Sequence, residues 1–148
     1  MKHFSFYPQH DAMDCGPACL RMISAWYGKN ISLEKLREHT RLSRLGVSLL
    51  GISEAAEKIG LRSRGVLISF EELKTVQFPC IVHCNQQHFV VVYRIRIAKG
   101  TTLVEVADPA AGKITYTADE FNRCWISSSN ADKKVGIALL LETTPDFY

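Results

Sequence analysis

The 148-residue sequence predicts an α+β domain, helical in its first sixty residues and antiparallel β after them. Two observations carry this reading. Up to Ile59 the apolar residues recur at helical spacing, and glycines at Gly28 and Gly60 close two of the periodic stretches. Beyond Arg62 the apolar runs shorten, fill with Val, Ile and Tyr, and are separated by turn residues such as Asp108-Pro109 and Gly112.

Residues 1–8 read as an extended lead-in whose Phe4, Phe6 and Tyr7 pack on the body. Asp14 suits a helix N-cap, its carboxylate accepting from first-turn N–H groups. Pro17 suits that turn, where a missing N–H costs nothing. Cys19, Leu20, Ile23, Trp26 and Tyr27 follow at helical spacing, and Gly28 ends the helix. Ser32 opens a short helix through His39, with Leu33 and Leu36 inward, and Arg41 to Gly46 reads as a loop. Ser48 to Ile59 is a third helix, with Ile52, Ala56 and Ile59 on one face. Strands are predicted at Arg62 to Leu67, Cys80 to Cys84, His88 to Ile97, Leu103 to Ala107, Lys113 to Thr117 and Gly136 to Glu142. Ser69-Phe70-Glu71-Glu72 is a capping box opening a short helix, Ala118 to Trp125 is another helix, and Ser127 to Lys134 reads as a polar loop. No repeat, low-complexity tract or linker interrupts this order, so residues 1–148 read as one domain, long enough to bury a core.

Composition narrows the function classes. A net charge of +3 with scattered Lys and Arg argues against a nucleic-acid partner. The longest apolar candidate, Ile137 to Leu141, is far too short to cross a membrane as a helix. There is no GxxxxGK[ST] phosphate loop. Five cysteines, an odd number with no secretory signal before them, read as free thiols in a reducing compartment.

Cys15 opens the first helix, where the helix dipole favours a thiolate and lowers the thiol pKa. A cysteine in a helical pattern is more often a small buried hydrophobe, and Cys19 reads that way. A nucleophilic Cys15 needs a base, a group to orient it and an oxyanion donor. Of the histidines, His39 lies on a charged helix face, His3 in the lead-in and His10 on the loop before Cys15. His83 reads equally well as a satisfied sheet histidine. His88, at the mouth of a strand after the Asn85-Gln86-Gln87 bend, is well placed to face a helix terminus. Asp108, one hairpin later, can orient it, or can simply form the turn before Pro109. Gln9 and the Cys15 N–H are candidate oxyanion donors.

The strings Gln9…Asp14-Cys15-Gly16-Pro17-Ala18-Cys19-Leu20, Asn85-Gln86-Gln87-His88-Phe89-Val90-Val91-Val92 and Val106-Ala107-Asp108-Pro109-Ala110-Ala111-Gly112 together resemble the peptidase domain of bacteriocin-exporting ABC transporters. That resemblance covers nearly the whole chain and implies a papain-like fold, with a helical half packed on a twisted antiparallel sheet and the site in the cleft between them. It implies Cys15 as nucleophile, His88 as base, Asp108 as its orienting residue and Gln9 in the oxyanion hole. It further implies cleavage of a precursor peptide after a Gly-Gly or Gly-Ala leader motif. The setting it implies is the cytoplasmic face of the bacterial membrane, at the N-terminal part of a longer exporter. The implied partners are the leader-bearing precursor and the transporter's membrane and ATPase domains. No cofactor is implied for the peptidase domain, ATP belonging to the ATPase domain alone. One departure is Cys84, where the family often carries an aromatic residue.

Two other readings compete. A non-hydrolytic module could hold a secretion substrate for its transporter. A thiol-redox or metal protein could use Cys80, His83, Cys84 and His88, but a strand would turn Cys80 and Cys84 away from His83, so one metal could not easily take all four.

Overall fold

The structure is a computed structural model and describes residues 3–11, 13–40, 48–85, 88–130 and 132–148. The expected loop over 41–46 and the bend residues Gln86 and Gln87 lie outside the described residues.

Three helices come first: α1 (Cys15–Trp26), α2 (Leu33–Thr40) and α3 (Leu49–Lys58). Their starts and stops follow local chemistry. Ser32 Oγ accepts from the Lys35 N–H and Ser48 Oγ from the Gly51 N–H, each satisfying a donor that the helix cannot. Gly28 and Gly60, both with φ of +93°, end α1 and α3 in the left-handed region.

The strands are β1 (Leu61–Ser69), β2 (Cys80–Cys84), β3 (His88–Ala98), β4 (Thr101–Asp108), β5 (Gly112–Thr117), β6 (Ile126–Asn130) and β7 (Lys133–Thr143), with short helices α4 (Phe70–Leu73) and α5 (Ala118–Trp125) between them. The predicted capping box at Ser69 and Glu72 is present, and Thr117 with Glu120 makes a second one at α5. Among the described residues the strands form one antiparallel sheet in the order β1-β7-β2-β3-β4-β5, with β6 also on β7.

The expected polar loop at Ser127 to Lys134 is corrected by the structure. It holds β6 and the start of β7, with Asn130 opposite Lys133. A strand paired on one side only, with exposed Ser128 and Ser129, needs no apolar alternation, which is the signal that sequence reading relies on.

Strand alternation divides the core in two. Ile81, Phe89, Val91, Ala107, Leu139 and Leu141 join Cys19, Leu20, Ile23 and Ile52 on the side of α1 and α3. Cys80, Val82, Val90, Val92, Val106 and Ala138 join Phe121 and Trp125 of α5 on the other side. The sheet is therefore covered on both faces, not by the helical half alone. Phe121 and Trp125 are fully buried, and each contributes roughly 1.5–3 kcal/mol by leaving water.

The lead-in packs as expected. Phe4 stacks on Tyr93 of β3 with ring centroids 4.7 Å apart, and the Arg21 guanidinium covers Tyr7. Segment 3–9 thus reaches from Tyr93 in the middle of β3 to Pro109 just past β4, whose carbonyl accepts from the Gln9 N–H.

Candidate active site

Cys15 is the first residue of α1 and is 5% exposed. The local sequence leaves this terminus unusually open. Pro17 has no N–H, and the Ala18 N–H bonds to the Asp14 carbonyl at 3.0 Å. The N–H groups of Cys15 and Gly16 stay outside the helical ladder, and that of Gly16 serves the Cys15 sulfur. Asp14 does not cap with its side chain, contrary to the expectation. Its fully buried carboxylate turns instead to α2, where Arg37 grips it with two bonds, Nε to Oδ1 at 2.9 Å and Nη2 to Oδ2 at 2.5 Å. The Asp11 N–H adds a bond of 3.3 Å to Oδ2.

His88 begins β3, and Asp108 ends the antiparallel β4, so the register that sets Val91 opposite Ala107 brings both to one end of the sheet. His88 Nε2–H donates to Asp108 Oδ1 at 2.6 Å. The Ala110 N–H donates to the same oxygen at 2.9 Å, an Asx turn that fixes the carboxylate from the other side. With Nε2 committed, the second ring nitrogen is the one left for Cys15, and the two side chains are hydrogen-bonded.

The charges follow from these contacts. Burial pushes the Cys15 thiol up, but the hydrogen bond to His88, the Phe89 backbone, the imidazolium charge and the Gly16 N–H outweigh it and leave Cys15 below its ordinary value. The Asp108 bond, then the Cys15 bond, raise His88 to about 9 against the opposing effect of burial. Asp108 is raised by burial and lowered more by His88 and the Ala110 N–H, so it stays ionised at neutral pH. These contacts favour the Cys15 thiolate and the His88 imidazolium together, with the Asp108 carboxylate bracing the ring, an arrangement suited to a thiol nucleophile with a proton donor at its side.

Gln9 is tied to this end of the sheet through its backbone, its N–H donating to the Pro109 carbonyl at 3.0 Å. Its Oε1 is shielded from solvent with no partner among the described residues. Cys19, one turn into α1, is fully buried and bonds to the Phe89 carbonyl at 3.4 Å. Burial holds its thiol well above the ordinary value, so it is a core residue. His83 stacks on Phe89 with centroids 4.5 Å apart, and His10 is exposed. Among the described residues no group of three or more His, Cys, Asp or Glu is arranged around a metal position.

Sequence reasoning missed two features. Cys84 lies opposite His88 in the β2–β3 register and is hydrogen-bonded to Cys124 of α5, beside a cavity of about 70 Å³ also lined by His88 and Asp108. A thiol pair thus sits beside the base, and α5 was too distant in sequence to reveal it. The second is Arg37. Its signal was legible, because Leu33, Leu36, Arg37 and Thr40 fall on one helical face, which puts a cation on the buried side.

Comparison with known proteins adds the following. The sequence profile of the peptidase C39 family matches residues 3–129. The colicin V secretion/processing ATP-binding protein CvaB of Escherichia coli is 36% identical over 115 residues, covering 78% of this chain and 16% of that protein. The lactococcin-G-processing and transport ATP-binding protein LagD of Lactococcus lactis is 37% identical over 123 residues, covering 79% of this chain and 17% of its own length. The chain thus spans about a sixth of these relatives. Among solved structures, a double glycine motif protease from an AMS/PCAT transporter, in complex with the leader peptide, superposes with a TM-score of 0.80 at 33% identity, over 95% of this chain and 91% of that one. The peptidase domain of Streptococcus ComA, a bifunctional ABC transporter of a quorum-sensing pathway, gives 0.79 at 27% identity, over 96% and 100%.

Proposed function

Because this chain belongs to the peptidase C39 family of cysteine peptidases, we propose that Cys15, His88, Asp108 and Gln9 are its catalytic residues and that it removes the leader of a precursor peptide after a Gly-Gly type motif. The observation that carries the proposal is the contact chain Cys15–His88–Asp108 assembled at an open helix N-terminus.

Cys15 Sγ attacks the scissile carbonyl carbon. The oxyanion is held by the Cys15 N–H and the Gln9 side-chain amide. The tetrahedral intermediate collapses, and the imidazolium of His88 protonates the departing amine. A thioester remains on Cys15. His88, now neutral, takes a proton from water as its oxygen attacks the thioester; collapse expels the Cys15 thiolate beside the His88 imidazolium and releases the leader acid, which gives its proton to solvent. Asp108 holds Nε2–H throughout and favours the imidazolium whenever it forms.

That Cys15 is only 5% exposed supports the glycine requirement, since a backbone without side chains is what can approach it. Affinity comes from elsewhere on the leader, an amphipathic helix laid in an apolar groove. The leader-bound relative supports this class of substrate. Residues 1–148 then act as one peptidase domain at the N-terminal part of an ABC exporter, on the cytoplasmic face of the membrane. The chemistry uses no cofactor, ATP serving a separate ATPase domain. Among the described residues no helix is long and apolar enough to cross a membrane, so in this account anchoring falls to that longer exporter.

The test compares a full leader peptide, a leader lacking its helical part and a leader with either glycine replaced by Leu. The full leader is cut after the second glycine, the truncated one loses kcat/KM by about 100-fold or more, and the enlarged ones are not acylated. Equal turnover of all three overturns the leader-peptidase reading.

A further inference from the structure

Asp14 is an acid placed against the nucleophile. It directly precedes Cys15, is completely buried, and occupies the N-cap position of α1. An aspartate there ordinarily accepts from the N–H two or three residues on. Three residues on stands Pro17, which has none, so the remaining partner is the Gly16 N–H. That donor already serves the Cys15 sulfur. An untethered Asp14 carboxylate would therefore compete for it and add a second anion beside the thiolate. The structure shows the carboxylate drawn the other way, onto the two-pronged guanidinium of Arg37 with the weaker help of the Asp11 N–H at 3.3 Å, and with no side-chain bond to the terminus it caps by position.

We propose that Arg37 is a positioning residue for the peptidase: by holding Asp14 against α2 it keeps the first-turn N–H groups of α1 open for the sulfur and the oxyanion. The inference rests on Cys15 being the nucleophile. Arg37 touches no reacting atom. Its planar fork matches both carboxylate oxygens, and a lysine can replace the charge but not the two-pronged grip. Among the described residues, the titratable groups interacting with Cys15 are His88 from β3, with Asp108 behind it, and Cys19 one turn on, while Asp14 adjoins Cys15 in sequence. Around Arg37 are Asp14, Asp11 and Glu34. Of these, only Asp14 adjoins both Cys15 and Arg37 in this way.

The test measures two quantities on Arg37→Met, Arg37→Lys and the double variant Asp14→Ala/Arg37→Met. One is the pH midpoint of iodoacetamide alkylation at Cys15, read by mass spectrometry of the Cys15 peptide. The other is kcat and KM on a synthetic double-glycine leader peptide. Arg37→Met raises the alkylation midpoint and lowers kcat by about tenfold or more with KM little changed, and Arg37→Lys falls between it and the wild type. The double variant removes the competing carboxylate together with the unpaired charge, so it folds and recovers both the midpoint and most of kcat. If Arg37→Met does not fold, Arg37→Lys and the double variant carry the same comparison. A wild-type midpoint and kcat in every folded single variant overturns the proposal, as does a double variant no better than the single ones. Alkylation does not depend on the peptide, so wild-type protein that fails to cut any leader while these midpoint shifts appear refutes the substrate reading and leaves the role of Arg37 standing.

Discussion

Replacing Asp108 by Asn isolates the charge that braces the base. The amide side chain of Asp108→Asn keeps an oxygen that accepts from the His88 Nε2–H and from the Ala110 N–H, so the geometry of both bonds survives while the anion is lost. The distance from the ordinary value of 6.5 to about 9 corresponds to about 3 kcal/mol in favour of the imidazolium. Asp108 is its largest cause, ahead of Cys15, and His88 is only 29% exposed, so screening removes little of it. Assigning Asp108 about half or more of that preference gives about 1.5–2 kcal/mol, a fall of one pH unit or somewhat more. The alkaline limb of kcat/KM reports the loss of the His88 proton that the leaving amine needs, and it lies near 9 in the wild type. In Asp108→Asn it moves to between about 7.5 and 8, and at pH 8 the rate falls by about two- to fourfold, widening to about tenfold near pH 9. The assay is a kcat/KM profile from pH 5 to 10 on a leader peptide. Asp108→Ala, which loses the acceptor as well, is impaired at least as much, and His88→Ala more than either. An unmoved alkaline limb with full activity in Asp108→Ala would leave Asp108 as a turn residue and refute the reasoning.

Cys15→Ala abolishes cleavage and leaves the melting temperature close to wild type, whereas Cys19→Ala, losing a buried bond to the Phe89 carbonyl, costs about 1 kcal/mol in denaturant titration and keeps kcat. His88 has a folded pKa raised above its unfolded value, so its contribution to stability is complete below about 6.5 and is lost as pH rises through about 9; a thermal melt series over that window falls in the wild type and flattens in His88→Gln. Gly136→Ala would set a Cβ into the Trp125 ring and 2.7 Å from its carbonyl oxygen, so it lowers stability by roughly 1–3 kcal/mol in the same titration, while activity per folded molecule is kept.

How much of this was legible in the sequence depends on how local each signal is. The starts of α4 and β2 were readable because a capping box and a proline mark them within a few residues. Cys15, His88 and Asp108 were readable because each sits at an element end, where an antiparallel register brings ends together. β6 was not, since it is held by backbone bonds to β7 and its serines carry no apolar alternation. Asp14 misled for a related reason. Its N-cap position is a local fact, but the direction of its carboxylate is decided by Arg37, 23 residues away on another helix. The Cys84–Cys124 contact is more remote still, joining β2 to α5 across the sheet's second face.

The central claim is that Cys15, held as a thiolate by His88, takes the leader's acyl group. It is tested most directly by mixing the protein with an excess of a double-glycine precursor, quenching in acid within the first turnover, and weighing the intact protein. The account predicts a fraction of protein heavier by the mass of the leader acyl group, mapped to Cys15 as a hydroxylamine-sensitive thioester and absent in Cys15→Ala. Cleavage that proceeds with no adduct on Cys15, or that persists in Cys15→Ala, would contradict it.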